Sequence, residues 1–250
     1  MLNIVIPMAG LGSRFAKNGY TLPKPLIEIH GKPMIQVVIN NLKCREAHRF
    51  IFICLKDHLE QYGLKDKFLS WAPHCRIIAI ETVTQGAACT VLLATDLIHN
   101  DDPLMIANSD QWIDICVDNY LSDMKVRNLD GMMMTMTADD PKWSFVRLDG
   151  EGRIMEVVEK KVVSREATVG IYNFKRGRDF VTSAENMIKK RLTVNNEYYV
   201  APVYNEMIAA GKSLGFYNIG EEGNGMYGLG KPEDLALFLA HPVSRKAVSF

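Results

Sequence analysis

The chain alternates between two hydrophobic textures. Short apolar runs, NIVIPM at residues 3 to 8, FIFICL at 50 to 55, RIIAIE at 76 to 81 and PLMIAN at 103 to 108, are separated by stretches in which apolar residues recur every three or four positions. Runs this brief, several of them rich in Ile and Phe, predict strands buried on both faces, because a strand wetted on one side would alternate apolar with polar. The intervening segments PMIQVVINNLK (33 to 43) and GAACTVLLATDLI (86 to 98) predict helices with one apolar stripe. The first opens on proline, whose missing N–H costs nothing at a helix start. Strand and helix in alternation predict a parallel sheet covered on both faces.

Beyond residue 130 the texture changes. GMMMTMT (131 to 137), WSFVRL (143 to 148), IMEVVE (154 to 159) and TVGIYNF (168 to 174) follow one another through turn-type links such as LDGEGR, which predicts a mixed or antiparallel extension of the sheet. Helical patterns return in FVTSAENMIKK, APVYNEMIAA and KPEDLALFLA. The last has Pro232 near its first turn, with Glu233 and Asp234 placed where the positive end of a helix dipole favours acids. No solenoid-period repeat, low-complexity tract or Ser/Pro-rich linker interrupts the chain, so one domain over 1–250 is expected, with halves 1–125 and 126–250 of different texture.

Composition narrows the function classes. With 48% hydrophobic residues in 250, the chain can bury one large core. Lys plus Arg and Asp plus Glu number 29 each, so no overall field draws it to nucleic acid or an acidic membrane surface, and any anion site must be local. The five scattered cysteines form no C-x-x-C pair and are odd in number, which points to free thiols and a cytoplasmic setting. The opening apolar segment is too short for a membrane span or a signal sequence. The six histidines lie far apart, without metal-ligand spacing, and GMMMTMT reads as a core strand rather than a soft-metal site.

Ligands of open α/β sheets bind beyond the carboxyl ends of the strands, so the segment after the first run is the place to look for chemistry. It reads PMAGLGSRFAKNGYTLPKPL, residues 7 to 26. Gly10 and Gly12 let backbone N–H groups approach an anion, Ser13 adds a hydroxyl and Arg14 a fixed charge. Lys24 is held between Pro23 and Pro25, which keep the chain extended. The combination suits a polyphosphate. A dinucleotide fingerprint would need a small residue where Phe15 stands and an acid closing the second strand; a P-loop would need G-K-[ST] opening a helix, where this chain has Gly31-Lys32-Pro33 in a turn. Both are excluded.

Further along, QGAACTVLLA opens a helix on Gln85 and Gly86, IANSDQWID ends a buried strand with Ser109 and Asp110, and VVEKK and VGIY follow. In this order the set resembles the sugar-phosphate nucleotidylyltransferases, pyrophosphorylases with a GT-A-like fold, whose pattern of a G-x-G-[ST]-R loop, P-K-P, Q-G, a strand-closing Asp, and E-K before V-G-I-Y is matched over most of the chain. The resemblance implies a Rossmann-like three-layer α/β/α fold with a mixed, mainly parallel central sheet. It implies that Ala9, Gly10, Leu11, Gly12, Ser13, Gln85, Gly86 and Ser109 bind a nucleoside triphosphate, with Arg14, Lys24 and Asp110 catalytic and Asp110 a ligand of Mg²⁺. Glu159, Lys160, Gly170, Tyr172 and Glu197 would then line the pocket of a phosphorylated acceptor, which makes 1–125 the nucleotide-binding half and 126–250 the acceptor-binding half.

LPKPLIEIHGKPMIQVV, EYYVAPVYNEMI and MYGLGKPEDL are similar to a branch from capsular polysaccharide gene clusters that includes CTP:phosphoglutamine cytidylyltransferase and is related to phosphocholine cytidylyltransferases. That similarity implies CTP as donor and a role in capsule modification. Many relatives have a second metal-binding aspartate in D-x-G-T-P-E-D; here the segment is GLGKPED, with Gly228 in its place, so either Asp110 serves alone or Glu197, Glu221 or Glu222 substitutes. Asp139, Asp140, Trp143, Arg147 and Tyr198 lie in segments able to form the acceptor pocket, and an aromatic wall there would suit a sugar ring or a choline-like cation. The mixed-sheet half is a candidate homodimer surface. Two other readings compete: a glycosyltransferase using a finished nucleotide sugar, which would need a D-x-D pair where this chain has NSDQ, and a non-catalytic nucleotide-binding protein.

Overall fold

The computed structural model describes residues 1–250. Its strands are β1 (Leu2–Pro7), the short β2 (Glu28–Ile29) and β3 (Lys32–Pro33), β4 (His48–Leu55), β5 (Arg76–Ile80), β6 (Leu104–Ala107), β7 (Gln111–Ile113), β8 (Gly131–Thr137), β9 (Ser144–Leu148), β10 (Ile154–Glu159), β11 (Glu166–Phe174), β12 (Leu214–Glu222) and β13 (Gly225–Gly228). Eleven of them form one sheet in the order β5-β4-β1-β6-β11-β8-β12-β13-β7, with β9 and β10 as a hairpin attached to β11. β5, β4, β1 and β6 are mutually parallel; β11 runs against both its neighbours; β8, β12 and β13 are parallel again. The result is a three-layer α/β fold with a large mixed, mainly parallel sheet.

Successive residues of a strand face opposite sides, and the core divides accordingly. Ile4, Ile6, Phe50 and Phe52 pack into one cluster, and Val5, Ile51 and Ile53 into another. Helices cover both faces, which is why these strands read as unbroken apolar runs. The methionine strand behaves alike: Met132, Met134 and Met136 join the first cluster and Met133 the second, all fully buried. Each contributes about 1.5–3 kcal/mol relative to exposure. No helix is long and apolar enough to cross a membrane.

One expectation changes. The single helix predicted over 86 to 98 is two, Ala87–Leu92 and Thr95–Ile98. The Thr95 hydroxyl donates to the Leu92 carbonyl at 2.5 Å, a local bond that competes with a continuing helical ladder. The strands of the two textural halves interleave in the sheet. β11, from the second half, is hydrogen-bonded to β6, and β7, from the first half, sits at the far edge against β13. A third apolar cluster completes this crossing by joining Phe15 to Trp112, Tyr227, Leu229, Leu235 and Phe238. Phe15 thereby anchors the first loop against the C-terminal strand and helix, leaving Arg14 beside it exposed.

Candidate active site

β1 and β6 are parallel neighbours, with Asn3 opposite Leu104 and Val5 opposite Ile106, so the loops leaving their carboxyl ends emerge side by side. Lys24 reaches between them. It opens a one-turn 3-10 helix, Lys24–Leu26, flanked by the two prolines, and its ammonium donates to Asp110 Oδ2 at 2.8 Å. Asp110 is held from the opposite side by the end of the chain: the Leu229 N–H donates to its carbonyl at 2.8 Å, and Gly228 pairs with Gln111. A methyl group on Gly230 would stand 2.6 Å from Asp110 Oδ2, so the absent side chain leaves room at that carboxylate.

Above this contact lies a cleft of about 250 Å³. Arg14, Lys142, Lys160 and Lys231 line it, against the two acids Asp110 and Asp234. A chain of zero formal charge thus concentrates cations at one place, as an anionic ligand requires. A neighbouring hollow of about 320 Å³ shares Gly228 and Asp234 but has no Lys or Arg in its wall, so the chemistry belongs in the cleft. Burial works against the charge on Lys142, yet its bonds to Glu222 at 2.9 and 3.0 Å, with Asp140 nearby, raise its pKa overall. Burial raises the pKa of Asp234 against the opposing pull of Lys231 and Lys142.

Of the residues marked in the sequence, Arg14, Asp110 and Lys160 line the cleft, and Lys24 bonds to its floor. Gly10, Leu11 and Ser13 lie exposed on the loop, Gly12 is half-buried, where a methyl would stand 3.2 Å from Lys24 Cβ, and Ala9 and Ser109 are buried beneath. Gly170 has φ 80, and a methyl there would stand 2.2 Å from Asn108 Nδ2 and 2.8 Å from Gln111 Oε1; only glycine lets β11 pass under these two cleft residues. Lys160 donates to the Tyr199 hydroxyl at 2.5 Å, and Tyr199 donates to Glu197, which ties Glu197 to the cleft indirectly. Glu159 accepts from the Ser144 hydroxyl, and burial raises its pKa although that bond pulls the other way.

Gln85 and Gly86 are stitched to a different segment. The Tyr198 N–H donates to the Gln85 carbonyl at 2.9 Å, the Ala88 N–H to the Tyr198 carbonyl at 3.0 Å, and Gln85 Nε2 to the Asn196 carbonyl at 3.1 Å. Gly86, at φ 113, has no room for a side chain against the Tyr198 backbone. The Gln85 amide nitrogen is therefore already engaged, and Gln85 is not part of the cleft wall.

Tyr172 corrects an expectation. It is buried, its hydroxyl 3.0 Å from Thr168 Oγ1, and does not line the cleft. The ladder of β11 shifts register between Thr168 and Tyr172, around Gly170, which leaves Tyr172 in the core behind Ser144 and Glu159. The acids proposed to replace a ligand at Gly228 are not in the cleft either: Glu222 is bound to Lys142, Glu197 to Tyr199, and Glu221 is exposed. Asp234 is. A methyl on Gly228 would stand 3.8 Å from Asp234 Oδ2, so an acid at 228 would enter space that Asp234 already serves. No three His, Cys, Asp or Glu side chains gather into a metal cage. Two carboxylates, with room left beside Asp110 by Gly230, fit Mg²⁺, a hard ion that keeps waters and takes phosphate oxygens as ligands.

Residues 4–210 match the Nucleotidyl transferase family. The chain belongs to this family. Among its relatives, the mannose-1-phosphate guanylyltransferase catalytic subunit beta of Dictyostelium discoideum is 24% identical over 241 residues, covering 92% of this chain and 64% of that one. The mannose-1-phosphate guanyltransferase of Yarrowia lipolytica is 27% identical over 183 residues, covering 67% and 48%. The chain thus spans about half to two thirds of the length of the curated relatives it matches. In fold it is similar to the nucleoside-diphosphate-sugar pyrophosphorylase from Vibrio cholerae RC9, with a TM-score of 0.81 at 24% identity over 95% of this chain and 100% of that one.

For a nucleotidyl transferase family member, the residues that sequence reasoning missed are as telling as those it found. Lys142, Lys231, Gln111 and Asp234 all line the cleft. The two lysines each adjoin a proline, Pro141 and Pro232, as Lys24 does, and that adjacency was the available signal. Asp234 reads from the sequence as a helix-dipole partner. Gln111, beside Asp110, gave no signal.

Proposed function

We propose that this chain transfers a nucleoside monophosphate, CMP from CTP, to a phosphorylated acceptor with release of pyrophosphate, in the modification of a capsular polysaccharide. The observation that supports this reading best is the Lys24–Asp110 contact on the floor of a cleft whose walls carry Arg14, Lys142, Lys160 and Lys231. A phosphate monoester is already an anionic nucleophile near neutral pH. Its oxygen attacks the α-phosphorus, the bond to the β-phosphoryl oxygen breaks, and pyrophosphate leaves; no general base is required. The difficulty is to align two anions and to spread the charge that grows on the leaving group, which positioning and preorganised cations supply.

Lys24 and Arg14 would hold the triphosphate, with Lys24 kept in place by Asp110 and two prolines. Lys142, Lys160 and Lys231 would receive the acceptor. Asp110 and Asp234 would hold Mg²⁺, which when bound contributes further positive charge at the phosphates. CTP as donor rests on the similarity of LPKPLIEIHGKPMIQVV, EYYVAPVYNEMI and MYGLGKPEDL to capsule-cluster cytidylyltransferases. The relatives that act as guanylyltransferases make GTP the competing donor.

A pyrophosphate-release screen tests the proposal, crossing CTP, UTP, GTP, dTTP and ATP with mannose 1-phosphate, glucose 1-phosphate, phosphocholine and phosphoglutamine. Release with CTP and a non-sugar acceptor is expected. Release only with GTP and mannose 1-phosphate would replace the donor and acceptor while keeping the reaction. No release from any pair would remove the transferase reading.

A further inference from the structure

Lys160 enters the cleft from an unfavourable backbone. Its φ is 55, in the left-handed region where a Cβ crowds the carbonyl that follows, and its N–H donates to the Trp143 carbonyl at 3.0 Å. A residue other than glycine stays there only when its surroundings overdetermine it. At the side-chain end the constraint is Tyr199. Its hydroxyl accepts from the Lys160 ammonium at 2.5 Å and gives its one proton to the Glu197 carboxylate, so the lone pairs of that oxygen are left facing the lysine.

Tyr199 is itself held by its neighbours. Tyr198 and Val200, on either side of it, are 6% and 5% exposed and join the apolar cluster of Val5, Ile51 and Ile53. Just upstream the chain reverses: the Val194 N–H donates to the Glu197 carbonyl at 3.1 Å, and the Glu197 N–H to the Val194 carbonyl at 3.0 Å. Asn195 and Asn196 between them have φ 49 and 61, both left-handed as a type I′ turn requires. The same turn holds Gln85, whose Nε2 donates to the Asn196 carbonyl, while the Tyr198 backbone bonds to Gln85 and Ala88. One short hairpin, 194 to 200, is thus bonded to Gln85 and to Lys160 at once.

We infer that Tyr199 is a positioning residue: it holds the Lys160 ammonium in the acceptor's part of the cleft, and its hairpin fixes that ammonium relative to Gln85, the residue that family resemblance assigns to the nucleotide. A lysine has a long flexible stem, and one already fixed loses less freedom when two anions must be brought into line. The acceptor role of Lys160 rests on the transferase reading; the inference goes beyond it by naming what places the lysine.

Trace acetylation with N-hydroxysuccinimidyl acetate, read lysine by lysine by mass spectrometry, tests the hold without any substrate. Only the free amine reacts, and the bond to Tyr199 is the foremost cause that keeps Lys160 protonated. Tyr199→Phe keeps the ring and removes the oxygen; it should raise Lys160 acetylation about tenfold relative to Lys142, whose bonds to Glu222 it leaves alone. Asn195→Ala, which tolerates φ 49 less well than asparagine, should raise it about threefold, and Asn195→Gly, which adopts that φ freely, should leave it within about twofold of wild type. With the acceptor that releases pyrophosphate, Tyr199→Phe should raise the acceptor KM about tenfold and leave the nucleotide KM within about twofold.

Unchanged Lys160 acetylation in Tyr199→Phe, a rise shared by Lys142 and Lys231, or equal acetylation in the two Asn195 variants would each overturn the inference. So would an unchanged acceptor KM, or KM values that rise together for both substrates. Thermal melts accompany each variant; if Tyr199→Phe does not fold, the Asn195 pair, on an exposed turn, decides alone. Selective acetylation without pyrophosphate release from any substrate pair keeps the hold on Lys160 and removes the transferase reading, whereas release with unchanged acetylation keeps the transferase and removes the hold.

Discussion

Replacing Lys24 by Met keeps the apolar stem and deletes the charge that meets Asp110 at 2.8 Å. Two unit charges about 4 Å apart attract by about 4 kcal/mol at an effective dielectric constant of about 20. The two side chains keep 21% and 24% of their surface exposed, so solvent screening and the relief of desolvation return most of that energy. The expected loss of stability is about 1–2 kcal/mol, or about 2–8 °C in Tm for a chain of this size. Turnover should fall much further. Loss of one preorganised donor to a developing anion costs about 10²–10³ in kcat, about 2.7–4 kcal/mol. The assay pairs pyrophosphate release at saturating substrates with calorimetric Tm at the same pH. The Asp110→Asn and double variants complete a cycle in which the two effects should be strongly non-additive. A Lys24→Met enzyme with turnover within about threefold of wild type, or with a Tm fall large enough to account for the lost activity, would refute the assignment of Lys24 to the transition state.

Two further outcomes are expected. Asp234→Asn should weaken Mn²⁺ binding, read by electron paramagnetic resonance in the presence of CTP, by about tenfold or more, and Gly228→Asp in that background should restore it, because the new side chain would enter the same space; no restoration would show that Asp234 is not the relocated acid. Burial raises the Glu159 pKa against the pull of Ser144, so the fold favours its protonated form. That contribution is complete below the ordinary carboxyl value of about 4.3 and is lost as pH rises through the raised one. Glu159→Gln, which copies the protonated form, should therefore be more stable than wild type at pH 8 by denaturant titration, with the difference vanishing toward pH 4. A wild type that is the more stable at pH 8 contradicts the sign.

Much of the fold was legible because burial on both faces of a strand leaves an uninterrupted apolar run, as in residues 50 to 55 and 131 to 137. The split of the helix over 86 to 98 was not, since it depends on one hydroxyl choosing the Leu92 carbonyl. In the site, Arg14, Lys24 and Asp110 stood out because glycines, prolines and a strand end surround them. Asp234 reads from the sequence only as a helix-dipole partner, and Lys142 is marked by nothing beyond its neighbouring proline. Tyr172 misled for the opposite reason: its motif placed it near the acceptor, and a register shift at Gly170 put it behind the wall.

By itself, the chain's pattern determined the alternating strands and helices, the electropositive first loop and the family resemblance, because each of these is written within a few neighbouring residues. The convergence of Arg14, Lys142, Lys160, Lys231 and Asp234 around Asp110 was decided only by tertiary structure. It depends on β13 pairing with β7 and on Phe15 packing against the C-terminal helix, contacts between segments more than a hundred residues apart. Local periodicity records which side of an element is buried; it holds no information about which distant element will lie beside it.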